Sequence, residues 1–360
     1  MRTIDDGGCV LKIMKLIKIV CSLILSFAIL NIVCFFYYNV PVHSESKTHS
    51  TDYVWETDKF YSTGIEGYAW GKTDENGFNN LNAEYGVNPE ILVMGSSHTE
   101  GMNVSQKENY VYLLNAFFEQ NADEFKAYNI GISGHTLTTC LNNLKNAIEE
   151  FKPTKYVVIE VANAELSLDD INKISEGTVK KIHSTANPVL VFLQKIPFVR
   201  CVYHQIDKLG FLEKKPNKTV TDTIVKTTIQ DESNTSESND EYDVALNSML
   251  NDLSVFAEKN GVRLIIFLNP NLDIDKNGNV VPRQPSSEEK SFVNSCKSNN
   301  IEYIDMYDAY TEAYNKTDRL MHGFSNTTLG KGHLNKYGHQ IVANILYEHI
   351  IGMENHNSIE

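Results

Sequence analysis

The chain has 360 residues, enough for one large domain or two small ones. Its apolar and charged fractions are those of an ordinary globular protein, and a formal charge of −14 argues against a nucleic-acid partner, which would need a basic face. Cys9, Cys21 and Cys34 lie in or near the N-terminal segment. That leaves Cys140, Cys201 and Cys296, which show no metal-site spacing and fit no disulfide framework, although one bridge is compatible with the count.

Residues 19–38 are almost wholly apolar, broken only by Ser22, Ser26 and Asn31, and about long enough to span a bilayer as a helix. The run is apolar on all sides, unlike a buried core helix. Lys12, Lys15 and Lys18 precede it, and Tyr37 and Tyr38 mark its far end. The positive-inside rule therefore predicts a cytoplasmic N-terminus at 1–18, a transmembrane anchor at 19–40 and an extracellular remainder. A cleaved signal peptide is the rival reading. The apolar core is long for one, and Asn39-Val40-Pro41-Val42-His43 is a poor small-residue cleavage site.

Residues 41–88 read as a polar tether followed by an irregular wrap, rich in Gly, Asn and aromatics and without a period. From residue 89 the pattern alternates. Strand-like runs fall at Ile91–Met94, 127–132, Tyr156–Val161, 262–268 and 301–306. Helix-like stretches fall at 108–120, Leu137–Phe151, 242–259, Ser287–Ser298 and 336–351. Continuous apolar strands separated by amphipathic helices predict an α/β domain over 89–353, with a parallel sheet of about five strands covered on both faces. Catalytic groups in such folds sit at the carboxyl ends of the strands.

An insertion at 165–241 interrupts the alternation. Its first part, 188–212, is apolar and aromatic, with Lys195, Arg200 and Lys208 interspersed. It reads as a lid, a membrane-surface helix or helices packed on the domain flank, the last slightly favoured. Its second part, 214–241, is polar and reads as a disordered surface loop.

Three short motifs carry chemistry. Gly95-Ser96-Ser97-His98-Thr99-Glu100-Gly101 follows the first strand-like run. A serine on such a turn projects its hydroxyl above the sheet edge, and flanking glycines admit a substrate to the backbone N–H groups. Asn129-Ile130-Gly131-Ile132-Ser133-Gly134-His135-Thr136 follows the second run, and Asn163 ends the third. Near the C-terminus stands His333-Leu334-Asn335-Lys336-Tyr337-Gly338-His339. A serine, backbone donors and a histidine are the parts of nucleophilic acyl transfer. Each motif has a bland reading as a turn or cap. Asp273-Ile274-Asp275-Lys276-Asn277-Gly278 looks like the start of a calcium loop, but position twelve is Gln284, so a hairpin turn at Asn277-Gly278 is favoured. A metal site on His98, His135 and His333 is disfavoured, since each is explained by its motif.

In this order and placement the motifs resemble the blocks of the SGNH/GDSL hydrolase family, over roughly residues 89–353. Ser96 stands where the family has the aspartate of Gly-Asp-Ser. Val161 and Ala164 replace the glycine and aspartate of its third block. The aspartate expected three residues before the histidine is Gly330. The resemblance implies a flavodoxin-like three-layer α/β/α fold and acyl-ester chemistry with no cofactor and no metal. Ser97 would be the nucleophile and His333 the base, with the backbone of Ser97 and Gly134 and the Asn163 amide forming the oxyanion hole. The missing acid leaves three options: a backbone carbonyl, a distant acid such as Asp318, or a Ser97–His333 dyad. Restoring Asp at 330 is expected to leave activity unchanged or raise it.

An anchored domain outside the membrane meets envelope polysaccharide and lipid. By analogy the expected function is a carbohydrate O-acyl esterase or O-acetyltransferase, with a membrane-bound O-acyltransferase as a candidate partner. A lipid esterase with an apolar lid is the enzymatic alternative. A non-catalytic envelope or polysaccharide-binding protein is the alternative outside enzymes.

Overall fold

The computed structural model describes residues 6–45, 53–177, 192–193, 195–208 and 235–357. The chain begins with helix α1 (Asp6–Tyr37), which passes directly into strand β1 (Tyr38–Asn39). Residues Leu11–Tyr37 of α1 have a mean hydropathy of 2.7 and none of them is buried, so this helix is long and apolar enough to cross a membrane. It starts earlier than the apolar run because Lys12, Lys15 and Lys18 are good helix formers and continue the coil.

Four short strands follow: β2 (His43–Glu45), β3 (Tyr53–Trp55), β4 (Phe60–Thr63) and β5 (Ala69–Lys72). β1, β4 and β5 form an antiparallel sheet in the order β1-β4-β5, and β2 pairs with β3. The segment expected to be irregular is thus partly regular. Its strands span four residues at most, too few to display a two-residue period.

The remaining elements are β6 (Ile91–Met94), α2 (Ser97–Glu100), α3 (Tyr110–Gln120), β7 (Ala127–Asn129), α4 (Leu137–Phe151), β8 (Tyr156–Val161), α5 (Leu168–Glu176), α6 (Pro197–Lys208), α7 (Thr235–Lys259), β9 (Arg263–Leu268), α8 (Ser287–Ser298), β10 (Glu302–Asp305), α9 (Tyr307–Thr317) and α10 (Lys336–Asn357). The five strands from β6 onward form one parallel sheet, ordered β7-β6-β8-β9-β10. That is the 2-1-3-4-5 order of flavodoxin-like doubly wound folds.

Alternate residues of each strand enter opposite cores. Leu92, Met94, Val157 and Ile159 pack with Leu141 and Leu144 of α4, Leu250 of α7 and Phe292 of α8. Ile91, Val93, Tyr156 and Val158 pack with Leu114 of α3, Tyr310 of α9 and Val342 of α10. Burial on both faces explains why these strands read as unbroken apolar runs.

Departures from expectation lie in the insertion and near the end. α5 is capped by Ser167, whose side chain accepts from the Asp170 N–H while the Asp170 carboxylate accepts from the Ser167 N–H. α7 begins at Thr235, so residues 235–241 are helical and not loop. α9 presents Tyr307, Tyr310 and Tyr314 at helical spacing, a pattern hidden among polar neighbours. Residues 178–191, 194 and 209–234 of the insertion, including Leu209, lie outside the described residues. At Asp273-Ile274-Asp275, a bridge between Ile274 and Val280 closes a hairpin. The Asp275 carboxylate there accepts the N–H groups of Asn277 and Asn279, at 2.8 and 2.9 Å.

Candidate active site

The site stands at the carboxyl edge of β6, β7 and β8. β6 ends at Met94, and the chain turns through Gly95 and Ser96 into α2, which Ser97 starts. A Cβ on Gly95 would lie 2.1 Å from Thr99 Oγ1 and 2.8 Å from the Glu160 side chain, so no larger residue fits. Glu160, buried on β8, holds the turn from below. Its Oε2 accepts from the Ser96 N–H at 2.8 Å, the Ser96 hydroxyl at 2.7 Å and the Thr99 hydroxyl at 3.2 Å. The two adjacent serines are thereby distinguished. Ser96 is buried and directed into the sheet, whereas Ser97 is half-buried at the helix start. A helix's first N–H groups have no partner within the helix, and the Ser97 N–H is one of these.

The second motif is fastened to the first. Asn129 Nδ2 donates to the Thr99 carbonyl at 2.7 Å, and its Oδ1 accepts from the Gly131 N–H at 2.8 Å. The Ser133 hydroxyl donates to Glu100, whose other carboxylate oxygen accepts from Trp55 Nε1 at 2.6 Å. Burial pushes the Glu100 carboxyl up, against the lowering effect of its bonds to Ser133 and Trp55. Gly134 follows, exposed and in the left-handed region at φ 86°.

Asn163, past the end of β8, is exposed. Its Oδ1 accepts from the Glu165 N–H at 3.0 Å and its amide lies 3.3 Å from the Glu165 carboxylate. In this conformation the side chain caps its own turn.

His333 lies on the loop before α10, with Asn335 accepting the N–H groups of Tyr337 and Gly338 at the helix start. Its acid partner is Glu66, from the loop after β4. Glu66 Oε2 lies 2.6 Å from His333 Nδ1, and Oε1 accepts the His333 backbone N–H at 2.7 Å. Burial acts to raise the Glu66 carboxyl, but the two bonds from His333 and the charges of His333 and His98 outweigh it, and the net shift is downward. An ionised Glu66 accepts only, so Nδ1 carries the proton and Nε2 is left as the accepting nitrogen.

Loop-to-loop bonds hold Glu66 there. Asn326 Oδ1 accepts the Gly67 N–H at 2.9 Å, Asn326 Nδ2 donates to the Gly64 carbonyl at 3.0 Å, and Asn103 donates to the Glu66 carbonyl at 3.2 Å. Gly332 makes room, since a Cβ there would lie 2.2 Å from Glu66 Oε1, and its φ is +86°.

Glu66 is the residue that sequence reasoning missed. It lies 267 positions from His333, in a stretch without periodicity, and no spacing links them. Asp318, the distant acid considered, is exposed and ends α9 in a left-handed conformation. Gly330 is also left-handed, φ +80°, and its N–H donates to the His322 carbonyl at 2.9 Å. The loop therefore makes a backbone turn where the family places its acid.

His98 completes the cluster. Its ring centroid is 5.6 Å from that of His333 and 5.4 Å from that of His322. Tyr310 donates to Asn269 Oδ1 at 2.7 Å, and Asn269 Nδ2 lies 2.7 Å from His98 Nδ1. With the amide oxygen occupied, Asn269 donates to Nδ1 and the His98 proton resides on Nε2. Burial lowers the His98 pKa against the opposing pull of Glu160, and burial brings His322 down to about 3. His135 is elsewhere, edge-on to Tyr53 at 6.4 Å between ring centroids. Among the described residues no group of three or more His, Cys, Asp or Glu is arranged to hold a metal ion.

No family model matches this chain. No curated protein matches it either. Solved structures similar to it include the psychrotrophic esterase EstA from Pseudoalteromonas sp., at 16% identity and TM-score 0.39, covering 74% of this chain and 98% of that one. The acetyl xylan esterase AlAXEase is similar at 12% identity and TM-score 0.36, covering 72% and 99%. A GDSL-like lipase from Bacteroides thetaiotaomicron is similar at 14% identity and TM-score 0.31, covering 73% and 88%.

Proposed function

We propose that the protein is a serine acyl-esterase or O-acetyltransferase acting on cell-envelope carbohydrate outside the membrane, with Ser97, His333 and Glu66 as its catalytic triad. The observation that carries this reading is the two-point grip of Glu66 on His333, 2.6 Å to the ring and 2.7 Å to the backbone. A loop that serves only as structure has no need to fix one tautomer of a half-exposed histidine.

In this mechanism Ser97 Oγ attacks the acyl carbonyl carbon while His333 Nε2 takes the hydroxyl proton. The electron pair of the C=O bond moves onto oxygen. The Ser97 and Gly134 N–H groups stabilise that oxyanion, with the Asn163 amide joining once it leaves Glu165. The tetrahedral adduct collapses, the ester C–O bond breaks, and His333 returns its proton to the departing alkoxide. Water or a sugar hydroxyl then attacks the acyl-enzyme by the same steps in reverse. Glu66 stays ionised throughout and offsets the charge on the imidazolium.

The lysine-flanked N-terminus and the apolar α1 support an arrangement with 1–18 in the cytoplasm and the site outside. The transfer branch would suit an acyl group supplied by a membrane-bound O-acyltransferase. The test is fluorophosphonate labelling of the full-length protein. Wild-type should label at Ser97, and Ser97→Ala should lose both labelling and turnover of acetyl esters while remaining folded. Labelling at another serine would overturn the assignment.

A further inference from the structure

We propose that the domain is docked flat on the outer leaflet of the bilayer, through one continuous surface formed by α6 and one face of the small sheet β1-β4-β5. This rests on the reading of α1 as a membrane anchor.

α6 packs along the last turns of α1. The Phe198 N–H donates to Asn31 Oδ1 at 3.2 Å, and the Phe198 ring meets Phe27 edge-on at 5.8 Å between centroids. The Cys201 thiol lies 3.7 Å from the Cys34 carbonyl, and His204 stacks on Tyr38 at 4.8 Å. Phe27, Asn31 and Cys34 all lie within the membrane-length segment Leu11–Tyr37. Asn31 is six residues before Tyr37, so the start of α6 lies about 9 Å below the helix exit at 1.5 Å per residue. The open side of α6 at that depth therefore faces what surrounds α1, while Lys195, two residues before the helix, pairs with Glu56 of the domain at 3.3 Å.

The opposite face of α6 is apolar as well. Val199, Val202, Tyr203 and Ile206 recur at helical spacing, and the last three are 39%, 42% and 37% exposed. Phe192, just before the helix, is 66% exposed. A helix with a covered apolar face and a second apolar face open is not built for water. Arg200 avoids the apolar phase by donating to Asn39 Oδ1 at 2.9 Å, just above the exit.

The small sheet continues this surface. Ser62 points at α1, where its hydroxyl donates to the Phe35 carbonyl. Phe60 shares that face by strand alternation, and Trp70 and Lys72 share it as the cross-strand partners of Ser62 and Phe60. Phe60 is 58% and Trp70 66% exposed. Aromatics and a lysine beside a helix exit are the composition of a membrane–water interface. β4 leads straight into Gly64-Ile65-Glu66, so the same strand carries the membrane face and delivers the acid to His333. The site is thereby held close to the bilayer, where the substrate would be membrane-attached.

The test is photolabelling of the full-length protein in phosphatidylcholine vesicles that carry a lipid with a diazirine on its acyl chain, read by peptide mass spectrometry. Adducts are expected in α1, in the α6 peptide containing Val202 and Ile206, and in the peptide containing Phe60 or Trp70. Adducts in α1 with either other element unlabelled would overturn the single docking surface while leaving the anchor intact. No adducts in α1 would overturn the anchor reading itself.

Discussion

Glu66→Gln isolates the proposed catalytic acid with almost no change of shape. Glu66 uses both oxygens as acceptors, one for the His333 ring at 2.6 Å and one for its backbone N–H at 2.7 Å. Glutamine has only one acceptor. With its oxygen on the backbone N–H, its NH2 faces Nδ1 and forces the proton onto Nε2, the nitrogen that must accept from Ser97. With its oxygen on Nδ1, two N–H donors oppose each other. In both arrangements the negative charge opposite the developing imidazolium is gone. Unit charges at about 4 Å interact by about 4 kcal/mol at the effective dielectric of a protein surface. The Glu66 and His333 side chains are 20% and 31% exposed, so solvent screens part of this. A loss of about 3–4 kcal/mol in the transition state corresponds to roughly a 10²- to 10³-fold fall in kcat/KM. The assay is hydrolysis of p-nitrophenyl acetate by full-length protein, with a thermal melt and circular dichroism confirming the fold. Fluorophosphonate labelling should slow in parallel. A folded Glu66→Gln variant with wild-type kcat/KM would refute the triad and return Glu66 to a structural role.

Three further outcomes follow from the same geometry. Gly332→Ala should reproduce much of the Glu66→Gln defect, because its Cβ would fall 2.2 Å from Glu66 Oε1; matched kinetics of the two variants would check this, and unimpaired turnover would contradict it. Gly330→Asp should leave activity unchanged, the neutral branch of the expectation from family spacing, since Glu66 already lies 2.6 Å from His333 Nδ1, and should lower stability, since a left-handed φ of +80° costs a non-glycine residue about 1–2 kcal/mol; the readouts are the melting temperature and kcat/KM. His322 and His339 are held neutral by burial, each with its pKa lowered to about 3. The unfolded chain binds protons that the folded one does not between about pH 6.5 and 3, so stability is intact above that window and falls as pH drops through it. Melting temperatures across this range should show the decline, and His339→Gln should flatten its slope; a flat wild-type profile would show that these rings are hydrated.

Much of the parallel α/β core was legible in the linear order. The runs Ile91–Met94 and Tyr156–Val161 and the helices Leu137–Phe151 and Ser287–Ser298 have the bounds that their periodicity predicts. Apolar burial on both faces of a parallel strand leaves an unbroken signal, and amphipathic helices leave a strong one. Ser97 was visible because the turn that carries it is local. Gly95 makes room, Ser96 caps the helix, and the functions of all three sit within a few residues.

The acid partner of His333 was not legible, because nothing local determines it. The loop before α10 places a left-handed turn at Gly330, and the carboxylate arrives from Glu66 across 267 residues, through a sheet whose strands are too short to leave a period. The face of α6 toward α1 was hidden for the same reason, since an apolar helix stripe does not say what covers it. Periodicity, caps and turn chemistry act over one or two turns of chain, and these the sequence determined by itself: the parallel α/β core, the membrane-length helix and the serine on its turn. Which loop delivers an acid to His333 depends on two surfaces meeting in three dimensions, so only the tertiary structure decided it.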